Sequence, residues 1–155
     1  MYAVEIAADE PLTGDIPYEW LSLLVAAART TLAQQGSQAG ELTVLLTDDA
    51  RMAVLNQTHR KTTGPTDVLS FPTGDSPSIP DLPHYFGDIA ISLARARAQA
   101  AAGGHSIQEE LQLLVVHGTL HLLGHDHAET RQKSRMWAAQ GEILEALGVS
   151  MVVNG

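Results

Sequence analysis

Apolar and polar residues alternate in several short segments of the chain, and this pattern predicts four β-strands. The clearest alternation lies near the N-terminus, and the later segments are rich in valine, isoleucine and leucine. The four predicted strands are residues 3–8, 41–47, 67–72 and 86–92. The segment that joins the last two strands is rich in proline and glycine, which indicates a loop.

Helical periodicity between and after these strands predicts about five helices. The first helix opens at Asp15 and Pro17 and runs to Gly36, and the second runs from the capping residues 47–49 to near His59. The third follows the fourth strand and stops at Gly103 and Gly104. The fourth runs from Ser106 through His121, and the fifth spans about 129–147. The fourth helix begins with a capping box of Ser106 and Glu109. Apolar residues surround this helix almost entirely, so we expect it to be central and buried.

The order of the elements predicts an α+β fold with α/β-like layers. Strands and helices alternate first and helices then follow in succession, which indicates a small mixed sheet of about four strands packed with about five helices around the central buried helix. A composition of 45% hydrophobic and 17% charged residues is typical of a globular protein. No repeat or linker divides the chain, so we expect a single domain spanning residues 1–155.

Composition and charge also limit the cell compartments and the binding partners that fit this chain. The chain contains no cysteine, which excludes disulfides and thiolate zinc sites. It has no signal-peptide pattern and no apolar run of membrane-spanning length, so we expect a cytoplasmic protein with no membrane partner. The net charge of −9 argues against strong nucleic-acid binding, but residues 1–50 hold eight acidic residues against one basic residue. We therefore expect weak overall affinity for RNA.

Three histidines near the end of the predicted fourth helix have the spacing of a zinc site. His117 and His121 are four residues apart, so both imidazoles project from one helix face. Gly124 can take the left-handed conformation that ends a helix, and the turn returns His127 as the third ligand. Three neutral imidazoles leave one tetrahedral position open for water, as in catalytic zinc sites. We predict one Zn²⁺ per chain.

Neighbouring residues leave alternatives open. His125 could replace His127 as the third ligand, although it leaves less chain for the return. Asp126 either orients a ligand through a hydrogen bond or is a solvated turn residue. Gly118 stands where zinc peptidases of related spacing have a glutamate that acts as general base, so a peptidase of that mechanism is disfavoured.

Three segments together resemble the YbeY endoribonuclease family of ribosomal-RNA maturation factors, in order and spacing, over nearly the whole chain. They are NQTHRKTTGPTDVLSFP at 56–72, GDIAIS at 87–92 and HGTLHLLGHDH at 117–127. The resemblance implies a metal-dependent, single-strand-specific endoribonuclease, with zinc as the ion, that acts in 16S rRNA 3′-end maturation and ribosome quality control. The partners it implies are the 16S precursor RNA, the small ribosomal subunit, ribosomal protein S11 and the GTPase Era.

The resemblance also implies roles for individual residues. His117, His121 and His127 match the metal ligands of the family, and Arg60 matches a functionally important arginine. A guanidinium suits phosphate oxygens, so Arg60 could stabilise charge that gathers on phosphorus during cleavage. Thr66 and Asp67, just before the third predicted strand, could hold the loop near Arg60. Asp67 could instead be only a cap or turn residue.

Two departures from the family pattern leave parts of the mechanism open. His125 stands where a tyrosine is usual, and the last helix reads MWAAQGEIL where the family tends to be more acidic. The general base could be zinc hydroxide, His125, Asp126 or the 2′-hydroxyl of the RNA. Two other functions remain as alternatives: a ribosome-assembly factor whose zinc is mainly structural, and a zinc peptidase with its base elsewhere.

Overall fold

The computed structural model describes residues 2–9, 14, 16–60, 66–73, 84–126 and 129–149, with His59 and Arg60 described by their backbone alone. The strands are β1 (Tyr2–Ala8), β2 (Gly40–Thr47), β3 (Val68–Pro72) and β4 (His84–Ser92). The helices are α1 (Tyr18–Gln34), α2 (Asp49–Arg60), α3 (Leu93–Gly103), α4 (Ile107–Leu122) and α5 (Thr130–Ala146). No helix in this described part is both long enough and apolar enough to cross a membrane.

In the described residues, four strands and five helices form the α+β fold that the sequence predicts. The sheet has the order β1-β2-β4-β3, in which β1, β2 and β4 are parallel and β3 is antiparallel to β4. The sheet is therefore mixed, and β3 lies at one edge. Pro72 ends this edge strand. Proline has no backbone N–H to donate to a neighbouring strand, and an edge strand tolerates that loss.

Local sequence explains where several helices begin and end. The carboxylate of Asp48 accepts a hydrogen bond of 2.8 Å from the backbone N–H of Arg51 and so caps α2. Gly104 ends α3 in the left-handed conformation, at φ 72°. Pro17 precedes α1 without a side-chain cap, and Asp15, predicted beside it, lies outside the described residues.

The two faces of the sheet pack against different helices. The larger core joins β2 and β4 to α1, α4 and α5 through side chains such as Leu42, Ile89 and Leu120. A smaller cluster on the other side holds Met52 of α2 against Leu69 and Ala90. Ten of the sixteen residues of α4 are buried, and this helix packs against α1, α3, α5, β3 and β4. Its C-terminal end is thereby fixed beside the edge strand.

Candidate active site

The C-terminal half of α4 carries two neighbouring histidines. His117 and His121 are both half-buried, and their ring centroids lie 4.8 Å apart. The capping box predicted at the other end of the helix is present, with bonds between Ser106 and Glu109 in both directions. One helix therefore brings two imidazoles to one place, as the spacing of four residues requires.

The chain turns back directly after this helix. Gly124 has a φ of 98°, in the left-handed region that glycine adopts without strain. Its N–H donates to the carbonyl of His121 at 3.0 Å, and the N–H of His125 donates to the carbonyl of Leu120 at 3.0 Å. These two bonds form a Schellman motif, which confirms the predicted helix end. His127 lies outside the described residues, so its role as third ligand stays a prediction.

A cleft of about 690 Å³ lies between this helix end and the edge strand. One wall is residues 66–72, and the other contains the two histidines of α4 and the turn after them. The cleft brings together six of the residues that the sequence singles out: Thr66, Asp67, His117, His121, His125 and Asp126. Arg60 ends α2, and its side chain is outside the described part of the structure.

Two residues of α5 hold the ring of His117 in one orientation. Its Nδ1 lies 2.9 Å from the amide oxygen of Gln140 on α5, and the ring of Trp137 meets it edge-on at a centroid distance of 5.7 Å. An amide oxygen only accepts hydrogen bonds, so Nδ1 of His117 must be the donor. In the neutral ring the lone pair is then on Nε2, the arrangement seen in metal-ligating histidines.

The donor set fits a zinc ion as far as it is described. Two imidazoles on one helix face, one with a second-sphere acceptor on its Nδ1, are the ligand chemistry that zinc prefers. Among the described residues no group of three His, Cys, Asp or Glu side chains is placed to hold a metal ion. A complete three-histidine site therefore depends on His127.

His125 and Asp126 both line the cleft but differ in their surroundings. Nε2 of His125 lies 2.7 Å from the amide oxygen of Gln35 at the end of α1, so this nitrogen donates. Burial lowers the pKa of His125 below its usual range, and the positive charge of Arg135 lowers the pKa further. The ring is therefore neutral at neutral pH. Asp126 is exposed.

Asp67 fixes the start of the cleft wall. One of its carboxylate oxygens accepts a bond of 2.8 Å from the N–H of Val68, and its carbonyl accepts a bond of 2.9 Å from the N–H of Ser92. Thr66 and Gln99 each donate to the carboxylate at 3.4 Å. The predicted role of Thr66 and Asp67 in holding the loop near Arg60 stays a prediction, because the side chain of Arg60 lies outside the described part of the structure.

Two contacts near the site were not predicted from the sequence. The hydroxyl of Ser70 in β3 donates a bond of 2.9 Å to the carbonyl of Gly118. A Cβ at Gly118 would lie 2.7 Å from Cγ2 of Ile89, closer than real Cβ atoms approach. Glycine at this position therefore lets α4 lie close against β4, and a glutamate there would displace the helix or the strand.

Comparison with known proteins agrees with these features. A sequence model of the family described as Endoribonuclease YbeY matches residues 13–148. The Endoribonuclease YbeY of Roseiflexus sp. (strain RS-1) is 48% identical in an alignment 136 positions long that covers 83% of this chain and 85% of that protein. The Endoribonuclease YbeY of Chloroflexus aurantiacus (strain ATCC 29366 / DSM 635 / J-10-fl) is 42% identical in an alignment 156 positions long that covers 96% of this chain and 97% of that protein.

A solved structure shows the same fold. The solution structure of TM1509 from Thermotoga maritima superposes with a TM-score of 0.61 at 25% sequence identity, over 93% of this chain and 88% of that one. The family match spans most of the chain, and both relatives exceed 40% identity over most of their length. The resemblance first drawn from three sequence segments is therefore confirmed, and the chain belongs to the endoribonuclease YbeY family.

Proposed function

We propose that this protein is a zinc-dependent endoribonuclease that cuts single-stranded RNA. The observation that carries the proposal is the cleft between β3 and the histidine-bearing end of α4, in a chain whose relatives are named endoribonucleases. Ligand-binding clefts have volumes of about 300–1,000 Å³, and the cleft of about 690 Å³ falls in that range. A nucleotide can enter it beside the histidines.

The proposed metal site uses three residues of this chain, His117, His121 and His127, for one Zn²⁺. Nε2 of His117 carries the lone pair that ligation requires, because the N–H at Nδ1 donates a hydrogen bond to the amide oxygen of Gln140. A bound zinc ion would lower the pKa of a water molecule and polarise a phosphate oxygen. The chain's own task is to hold these imidazoles at fixed positions next to the scissile phosphodiester.

Other residues supply orientation and charge in the proposal. Arg60 neutralises the negative charge that develops on the phosphate, since its guanidinium is permanently charged and offers a planar set of donors. Asp67 holds the start of β3, so that the cleft wall does not move away from α4. His125, neutral at neutral pH, and Asp126 both line the cleft and remain candidates for the general base, beside zinc hydroxide and the 2′-hydroxyl of the RNA.

The biological role follows from the family resemblance and is part of the proposal. The substrate is the 16S precursor RNA, and the reactions are maturation of its 3′ end and ribosome quality control in the cytoplasm. The protein would then act on the small ribosomal subunit, with ribosomal protein S11 and the GTPase Era as partners. A net charge of −9 agrees with such partners, because an acidic protein binds RNA weakly without a further contact.

Cleavage of 16S precursor RNA by three proteins purified identically tests the proposal. The zinc-loaded parent should cut single-stranded segments, and His117→Ala and Arg60→Ala should not, with the circular dichroism spectrum unchanged. Full activity in either variant would refute the assigned roles, and equal cutting by all three would reveal a contaminating nuclease. Cutting by none would favour a ribosome-assembly factor with a mainly structural zinc.

The peptidase alternative has a physical argument against it. Position 118 packs against Ile89, so a glutamate side chain cannot be accommodated there as a general base without moving α4. Incubation of the zinc-loaded protein with an unfolded generic protein should yield no fragments. Fragments that disappear in His117→Ala would restore the peptidase as the better proposal.

A further inference from the structure

A buried amide contacts one of the two cleft histidines from outside the cleft. Gln140 on α5 is 2% exposed, and its Oε1 lies 2.9 Å from Nδ1 of His117. Burying an amide costs free energy unless the amide is hydrogen-bonded. An apolar side chain of similar size would fill the same space without that cost. The burial of Gln140 beside His117 therefore suggests that its amide has a role in orienting that histidine.

That role is visible in the chemistry of the bond. A neutral imidazole has one protonated and one unprotonated nitrogen. The hydrogen-bond partner of one nitrogen decides which of the two carries the proton. Because Oε1 of Gln140 can only accept, it retains the proton on Nδ1 and the lone pair on Nε2. Free rotation of the ring is also lost, since the bond fixes the direction of Nδ1.

A second residue of α5 restrains the same ring. Trp137 lies three residues before Gln140, so both project from one side of the helix toward α4. Its ring is nearly perpendicular to that of His117, with an interplanar angle of 81°. Lys133 lies over the Trp137 ring at 5.7 Å, one turn earlier on α5. The histidine is therefore packed by Trp137 and hydrogen-bonded by Gln140.

We propose that Gln140 is a positioning residue that holds His117 as the tautomer with an unprotonated Nε2, in the orientation needed for a metal ligand. This inference rests on the proposed zinc site for its consequence. The tautomer itself is a property of the metal-free protein, so it can be tested without zinc or RNA.

The first test is nitrogen-15 NMR of the histidine rings in the metal-free protein. The spectrum is taken at a pH about two units above the usual histidine pKa of ~6.5, where imidazole is neutral. In the parent and in Gln140→Glu, which keeps an acceptor, His117 should show its proton on Nδ1. In Gln140→Leu the ring should shift toward the other tautomer. An unchanged tautomer in Gln140→Leu would overturn the proposal.

A matched variant separates positioning from loss of packing. Ile143 lies one turn further along α5 and is 1% exposed, but it belongs to the hydrophobic core. Ile143→Ala should lower the stability of the protein and leave the tautomer of His117 as in the parent. If Ile143→Ala shifts the tautomer as much as Gln140→Leu does, the effect comes from α5 packing and the proposal fails.

The second test is the zinc affinity of the same proteins, measured by competition with a chromophoric chelator. Loss of a partner behind a ligating histidine typically weakens metal binding by about 10- to 100-fold, and this is the loss expected for Gln140→Leu. Gln140→Glu and Ile143→Ala should bind zinc with an affinity close to that of the parent. Equal affinities for Gln140→Leu and Ile143→Ala would contradict the inference. Absence of RNA cleavage by the parent, with these results intact, would overturn only the proposed function.

Discussion

The hydroxyl of Ser70 donates a hydrogen bond of 2.9 Å to the carbonyl oxygen of Gly118. Ser70 lies in the edge strand that forms one wall of the cleft, and Gly118 follows His117 in the helix that forms the other wall. The two residues are 48 positions apart in the chain. This bond therefore links the strand directly to the histidine-bearing helix across the cleft.

Replacing Ser70 by alanine should weaken this connection. A hydrogen bond of this kind contributes about 0.5–1.5 kcal/mol to the free energy of unfolding, and Ser70→Ala should lose about that much in a urea titration. RNA cleavage should fall as well, because β3 is less firmly held against α4. Ser22→Ala serves as the control, since the Ser22 hydroxyl bonds to the carbonyl of Glu19 within one exposed helix. Equal stability of the two variants would contradict the account.

Gly118 and Gly141 offer a matched pair of glycines within helices. A Cβ at Gly118 would collide with Ile89, whereas a Cβ at Gly141 meets nothing within 4 Å. Gly118→Ala should therefore destabilise the protein by about 1–3 kcal/mol, as overpacking of a core does. Gly141→Ala should be neutral or stabilising by up to about 1 kcal/mol, because alanine favours helix. Thermal melts of both variants decide the point, and a Gly118→Ala protein as stable as Gly141→Ala would refute the close approach of α4 to the sheet.

The predictable parts of the fold depend on local sequence. The left-handed Gly124, the capping box of Ser106 and Glu109 and the strand at 41–47 each follow from residues within a few positions of one another. These features were predicted because turn, cap and alternation patterns act over short distances along the chain. The family resemblance likewise came from short segments and was confirmed.

The parts that the sequence did not predict depend on distant residues. The bond from His117 to Gln140 spans 23 positions, and the bond from Ser70 to Gly118 joins different elements. Neither pair has a local pattern, since each depends on how α4 packs against α5 and β3. The order β1-β2-β4-β3 has the same origin, because strand pairing is decided by the burial of all layers together.

Gly124 and Gly148 allow the helix end at the site to be tested apart from helix ends in general. Both glycines follow a helix in the left-handed conformation, at φ 98° and 76°. Alanine at either position should cost about 1–2 kcal/mol of unfolding free energy, because a Cβ is strained there. Gly124→Ala alone should also weaken zinc binding, since the proposed site needs this turn to return His127 as the third ligand. Equal zinc affinities in the two variants would show that the turn does not build the metal site.

The most direct test of the central claim is a zinc titration of RNA cleavage by the metal-free protein. A chelator removes the metal, zinc is added back stepwise, and the cleavage rate is followed on a single-stranded RNA and on a duplex of the same sequence. We predict no cleavage without zinc, a rise that levels off at about one zinc per chain as expected for a three-histidine site, and an uncut duplex. Cleavage of the single strand at full rate by the folded, metal-free protein would contradict the proposed mechanism.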